Sequence, residues 1–249
     1  MATVAAKDTF KYFAYGSNLL CERILINNPS AKFYGIGKLS VIASFGLKNS
    51  DEPKPYLDAR NIGGQEGKVS QPRKFIFTGK LASSKLGDVV GYQLGFDAPK
   101  EESLDIWLGS VATIFNADPT SYVYGVIWDM SYNGLESLDR QESWYNAIQV
   151  EVEVVSQIAP PGQQESADGA DIGEHRVQCR TYQLENVTGA GLPSPHYKEV
   201  ILMGARQNKL PQDYIAFLEA FPDNQVKQTP VAYKKVMEML ERERQDNAQ

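Results

Sequence analysis

The stretch Tyr12-Phe-Ala-Tyr-Gly-Ser-Asn-Leu-Leu20 reads as an aromatic strand that breaks on Gly16-Ser17-Asn18 and runs on as a helix. The strand is expected over residues 11–15 and the helix over 19–27, with Asn18 as N-cap, Leu20 and Ile24 as an i, i+4 apolar pair and Pro29 as the stop. A junction of this kind gathers free backbone N–H groups at one point, where they can hold a carboxylate or a developing oxyanion. The same tripeptide also serves as a plain tight turn ahead of a helix, so the junction alone leaves both readings open.

Further along, strands are expected at 33–39, 109–115 and 122–130, the last two separated by the turn Asn116-Ala-Asp-Pro-Thr120. Segments 147–155 and 176–184 alternate branched or aromatic residues with polar ones, as half-buried antiparallel strands do. Their connection, 157–174, holds two prolines, three glycines and four acidic residues without a basic one, the composition of a long disordered hairpin loop. Segment 48–88 is rich in Pro, Gly, Lys and Ser and carries eight basic against five acidic residues. It reads as an insertion between strands, with a short strand at 74–78 and either a partner-binding or a merely tolerated surface role. Ser194-Pro195 caps and opens a helix to about residue 207, with Tyr197, Val200 and Ile201 on one face. A second helix over 211–221 sets Tyr214, Phe217, Leu218 and Phe221 in one apolar stripe, which reads as core. Residues 1–225 are therefore expected to form one mixed α/β domain, and 226–249 a charged tail that is a peripheral or frayed helix.

Composition narrows the function. Of 249 residues, 25 are basic and 31 acidic, a net charge of −6 that gives no support to nucleic-acid or anionic-membrane binding. No apolar run approaches the roughly 20 residues of a membrane span, and the first residues lack the basic and apolar segments of a signal peptide. Two cysteines, Cys21 and Cys179, make no disulfide framework, so a reducing cytoplasmic compartment is expected. Two histidines, His175 and His196, have no His or Cys at ligand spacing, and no metal is expected.

One carboxylate stands out. Asn133-Gly-Leu-Glu-Ser-Leu-Asp-Arg-Gln-Glu142 reads as an N-capped helix. At about 100° per residue, with Leu135 at zero, Leu138 falls near ~300° and Glu142 near ~340°. Glu142 thus lies between the two leucines on the inward face, whereas Glu136 and Arg140 form an outward i, i+4 pair. Desolvation there should raise the Glu142 pKa, which suits a general base working near neutral pH. A glutamate at a helix end that merely hydrogen-bonds backbone or a buried tyrosine fits the same pattern.

Several of these segments, taken in order, resemble the gamma-glutamylcyclotransferase family. They are residues 12–20 with Glu22-Arg23-Ile24 and Asn28-Pro-Ser-Ala31, Ala112-Thr-Ile-Phe115, Val123-Tyr-Gly-Val-Ile-Trp128, and Leu138-Asp-Arg-Gln-Glu142. Cys179-Arg-Thr-Tyr182, Pro193-Ser-Pro-His-Tyr-Lys198 and Met203-Gly-Ala-Arg-Gln-Asn-Lys-Leu-Pro211 continue the match, which omits 48–88, 157–174 and the tail. The resemblance implies a mixed α/β fold with a curved, barrel-like, mostly antiparallel sheet surrounded by helices, needing no metal or cofactor. It implies a small-molecule γ-glutamyl peptide substrate converted to 5-oxoproline and a free amino acid, and it suggests a homodimer. It makes Glu142 the catalytic base, and Tyr12, Phe13, Ala14, Tyr15, Gly16, Ser17, Asn18, Tyr145 and Tyr197 the substrate-binding set. The chain departs from the family after Glu142, passing straight through Ser143 and Trp144 to Tyr145 where the family has a Gly-containing stretch. That leaves γ-glutamylamines or glutathione open as alternative substrates, and Trp144 either stacks on the distal part of the substrate or fills space. A non-catalytic interaction protein that keeps the fold is the remaining alternative.

Overall fold

The computed structural model describes residues 8–40, 90–98, 106–157 and 176–246. The expected insertion at 48–88 with its strand at 74–78, and nearly all of the 157–174 loop, lie outside the described residues. Everything described below belongs to one unit of the chain, 1–42 with 90–249.

Five strands close into a barrel in the order β1 (Thr9–Ala14), β5 (Val123–Ser131), β2 (Lys32–Leu39), β6 (Asn146–Ser156) and β7 (Arg176–Gln183). Four of the pairings are antiparallel, and the fifth, β1 with β7, is parallel at Tyr12 opposite Arg180. The mostly antiparallel, barrel-like sheet expected for the chain is thus present as a closed cylinder. Closure leaves no open edge among these strands. Strand β5, between β1 and β2, is buried over nearly its whole length, whereas β6 alternates, with Val150, Val152 and Val154 buried. Trp128, Phe13, Phe33, Ile127 and Met130, from both faces of these strands, are packed with essentially no exposed area.

A second, two-stranded sheet pairs β3 (Gly91–Asp97) with β4 (Val111–Ala117). Strand β3 was not among the expected elements, although Tyr92, Leu94 and Phe96 alternate along it and all three are buried. The helices are α1 (Cys21–Leu25), α2 (Leu135–Gln141), α3 (Pro195–Gln207), α4 (Gln212–Glu219) and α5 (Val231–Asp246). Ser194 caps α3 as expected, its hydroxyl accepting from the Tyr197 N–H at 3.1 Å. Among the described residues no helix is long and apolar enough to cross a membrane.

Three local expectations need correcting. The helix after the aromatic strand does not run from 19 to 27; a 3-10 turn (Ser17–Leu19) comes first and α1 is only five residues long. Asn18 is not its N-cap, because Leu20 holds that position and the Asn18 side chain is drawn elsewhere. On α4, Phe217 is 40% exposed and Ile215 is buried in its place beside Tyr214 and Leu218. Phe217 instead stacks between Tyr214 and Phe221 at the surface. The C-terminal helix α5 is peripheral but anchored, with Val236 fully buried and contacts to α1 and α3.

Candidate active site

The Gly16–Asn18 turn is held from three sides. Leu19 N–H bonds to Gly16 O at 3.0 Å and Leu20 N–H to Ser17 O at 3.2 Å, closing the 3-10 turn. From β5 the Trp128 indole N–H donates to Asn18 O at 2.9 Å, and from the end of α3 the Asn208 amide donates to Leu19 O at 2.8 Å. Helix α3 comes so close that a Cβ on Gly204 would lie 2.4 Å from Leu20 N. Among the described residues, the N–H groups of Gly16, Ser17 and Asn18 donate to no backbone acceptor, although the Ser17 N–H is directed to the Tyr197 hydroxyl oxygen. The start of a helical turn leaves such groups open, so this turn offers donors to an anion.

Opposite the turn stands Glu142, at the C-terminal end of α2 rather than within it, with its N–H bonded to Leu138 O at 2.9 Å. Its Oε1 accepts from Asn18 Nδ2 and from Gln141 Nε2, each at 2.9 Å. Asn18 also donates to the Tyr12 hydroxyl at 3.0 Å, and Gln141 donates to Asn18 Oδ1 at 3.2 Å. Both lone-pair directions of Oε1 are thereby engaged, while Oε2 takes no hydrogen bond from the described residues. Burial pushes the Glu142 carboxyl above its ordinary value of 4.5; the Gln141 bond, the Arg23 charge and the Asn18 bond pull it back only in part. The residue as a whole is half-buried, its open area lying on the cavity.

Between turn and carboxylate is a narrow cavity of about 40 Å³. Tyr12, Tyr15, Gly16, Ser17 and Asn18 line it from the N-terminal segment, and Glu142, Tyr145 and Tyr197 close it. Phe13 and Ala14 are absent from its walls; Phe13 alternates onto the barrel interior, and Ala14 is buried beside it. The Tyr197 oxygen accepts from Ala112 N–H at 3.1 Å and lies where a Cβ on Gly16 would approach to 3.1 Å. Burial raises the Tyr197 phenol to about 12, so it stays protonated at neutral pH. Tyr145 donates to Ala112 O at 2.9 Å, fixing the segment after Glu142 against β4. Trp144 does not reach the cavity; it packs, partly buried, against the core.

The cavity also includes Ala112 and Tyr182, which the sequence reading left out of the site. Tyr182 is held by a charged pair behind it: its hydroxyl donates to Asp139 Oδ1, and Arg180 Nε donates to that hydroxyl at 2.9 Å and to Asp139 at 3.1 Å. Tyr15 in turn donates to Tyr182 O. The Cys179-Arg-Thr-Tyr182 segment was the signal available for Tyr182, since alternation along β7 puts Arg180 and Tyr182 on one face.

A five-stranded barrel thus sets a tight turn and a carboxylate of raised pKa on one cavity. Comparisons with known proteins give the family. Residues 122–218 match the model of the AIG2-like family. A Bos taurus protein named gamma-glutamylcyclotransferase is 31% identical over 220 residues, covering 88% of this chain and 82% of its own length. Its Homo sapiens counterpart of the same name is 33% identical over 218 residues, with 88% and 81% covered. Among solved structures, one named gamma-glutamyl cyclotransferase superposes with a TM-score of 0.61 at 26% identity, covering 92% of this chain and 98% of that one. The chain belongs to the gamma-glutamylcyclotransferase family.

Proposed function

We propose that the chain converts γ-glutamyl amino acids to 5-oxoproline and a free amino acid, with Glu142 moving the protons and the Gly16–Ser17 turn holding the oxyanion. The observation that supports this reading is the Glu142 carboxylate, pinned at Oε1 by Asn18 and Gln141 and lining one cavity with the Gly16–Asn18 turn. The α-ammonium of the substrate is unreactive until it loses a proton, and Oε2 is the free acceptor for it. The amine then attacks its own γ-carbonyl carbon. A C–N bond forms, the carbonyl electrons move to oxygen, and the N–H groups of Gly16 and Ser17 stabilise that oxyanion, at about 3 kcal/mol per donor. Protonated Glu142 returns its proton to the departing amine, the former amide C–N bond breaks as the carbonyl re-forms, and the ring nitrogen gives its second proton to the Glu142 carboxylate so freed, which completes the neutral lactam. Attack within one molecule makes orientation the main cost, and Tyr197 and Tyr145, braced on Ala112, form the wall that keeps the substrate chain folded.

The buried thiol of Cys179, free like Cys21, suits a reducing cytoplasmic setting, and a homodimer is carried over from the family resemblance alone. The test is to incubate the purified protein with γ-glutamyl-alanine, γ-glutamyl-ε-lysine and glutathione and to follow 5-oxoproline. Turnover of the first, with a loss of at least about 100-fold in Glu142→Gln that remains folded, is the expected outcome. Release of 5-oxoproline from glutathione alone would move the chain to the glutathione-specific relatives. No product from any substrate leaves the reading without support and favours a binding protein.

A further inference from the structure

Beside α1, apart from the site just described, lies a second cavity of about 110 Å³, lined by Arg23, Ile26 and Asn27 of α1 and its end, by Ile106, and by Val231, Ala232 and Lys235 of α5. Its chemistry is lopsided. Arg23 and Lys235 bring two positive charges, the N-terminus of the 16-residue helix α5 adds a partial one, and among the described residues no carboxylate lines the wall. Arg23 is only 8% exposed, yet it makes no hydrogen bond and no ion pair among the described residues, and its buried Nε has no acceptor. Its guanidinium lies 5.9 Å from the centre of the Trp107 ring, and the carboxylate whose field acts on it is that of Glu142. Burial without a contact partner is costly for a guanidinium. The Asn27 amide is already committed to Gln141.

We propose that this cavity is a binding site for a small organic carboxylate, whose anionic head meets Arg23 and Lys235 and whose aliphatic body lies against Ile26, Ile106 and Val231. The carboxylate supplies the acceptor that Arg23 Nε lacks, and the planar guanidinium fork matches its two oxygens. An inorganic phosphate offers the same charge but turns polar oxygens toward the aliphatic wall, where they lose water without gaining a donor. Ile106 and Val231, at 40% and 61% exposed, are the apolar area that the body of the ligand covers. The two cavities share no lining residue, so binding here does not rest on the cyclotransferase reading, although the Arg23 charge is felt by Glu142.

The test reads binding, so it does not depend on turnover. The protein labelled with ¹⁵N is titrated with propionate, with propionamide as neutral isostere, and with inorganic phosphate. Saturable propionate shifts are expected at Arg23, Ala232 and Lys235, with none from propionamide and weaker ones from phosphate. Lys235 is exposed, so Lys235→Glu should fold normally and bind propionate at least about tenfold more weakly. Arg23→Gln, if it folds, should abolish binding. Propionate shifts confined to Gly16 and Ser17, binding unchanged by Lys235→Glu, equal binding of propionamide, or tighter binding of phosphate would each overturn the proposal.

Discussion

Glu142 shows how two opposed effects set one group's readiness to act. Burial favours the neutral acid; two amide N–H donors on Oε1 and the Arg23 charge favour the anion, and burial wins. Because a base must start ionised, kcat/KM should fall on the acid side with an apparent pKa above the ordinary carboxylate range, in a profile measured with γ-glutamyl-alanine. Asn18 is the adjustable partner. Asn18→Ala removes one donor to the ionised carboxylate, so the acid limb should move to higher pH while activity persists on the alkaline side. A limb that stays in place in Asn18→Ala would mean that the Asn18 bond does not tune Glu142. The inward setting of Glu142 was legible from helical spacing, but its position at the very end of α2, braced from behind by Gln141, was not. Asn18 was misread for a related reason. A cap is inferred from neighbours in sequence, and the partner that claims this amide is 124 residues away.

Among the elements, the contact of α3 with the 3-10 turn carries the site geometry. Gly204 has no role visible in the sequence, since a glycine in mid-helix reads only as a weak helix former. In the fold it permits backbone contact: an added Cβ would meet Leu20 N at 2.4 Å, the Leu19 carbonyl carbon at 2.6 Å and Leu19 Cβ at 2.7 Å. Gly204→Ala should therefore cost about 1–3 kcal/mol in urea unfolding, despite the better helix propensity of alanine. It should also lower kcat more than a comparable loss of stability elsewhere, because the displaced turn is the one proposed to hold the oxyanion. Element types were largely readable from periodicity. Strand β3 lies just beyond the expected 48–88 insertion and was missed although Tyr92, Leu94 and Phe96 alternate along it, because Gly91 and Gly95 weaken its strand signal. Tyr182 went unassigned because only pairing of β7 beside β1 brings it to the cavity.

At the scale of the whole molecule, barrel closure and acid–base chemistry meet in one chain segment. Strands β1 and β7 share a single parallel register point, and the seam is completed by Thr181 Oγ1 donating to Phe13 O at 2.8 Å and by Tyr15 donating to Tyr182 O. Thr181 has no exposed area, so Thr181→Val keeps the shape, deletes the donor, and should cost about 1–2 kcal/mol of stability. Glu142 makes the opposite kind of contribution. Its folded pKa lies above the 4.5 expected of an ordinary glutamate, so the folded state holds the proton more tightly than the unfolded one. The stability tied to that proton is fully present below the unfolded pKa and is lost as pH rises through the folded pKa. A glutamine in this place is neutral throughout and keeps a carbonyl oxygen for the Asn18 and Gln141 amides. Glu142→Gln should therefore unfold at higher urea than the wild type at neutral pH, with the difference shrinking as pH falls and levelling off by pH ~3, below the ordinary glutamate value. Reading the difference between the two proteins cancels the other carboxylates that titrate in the same window. Equal midpoints at neutral pH would mean that Arg23, Asn18 and Gln141 fully offset the burial of the charge, and that the site holds its base without cost to the fold.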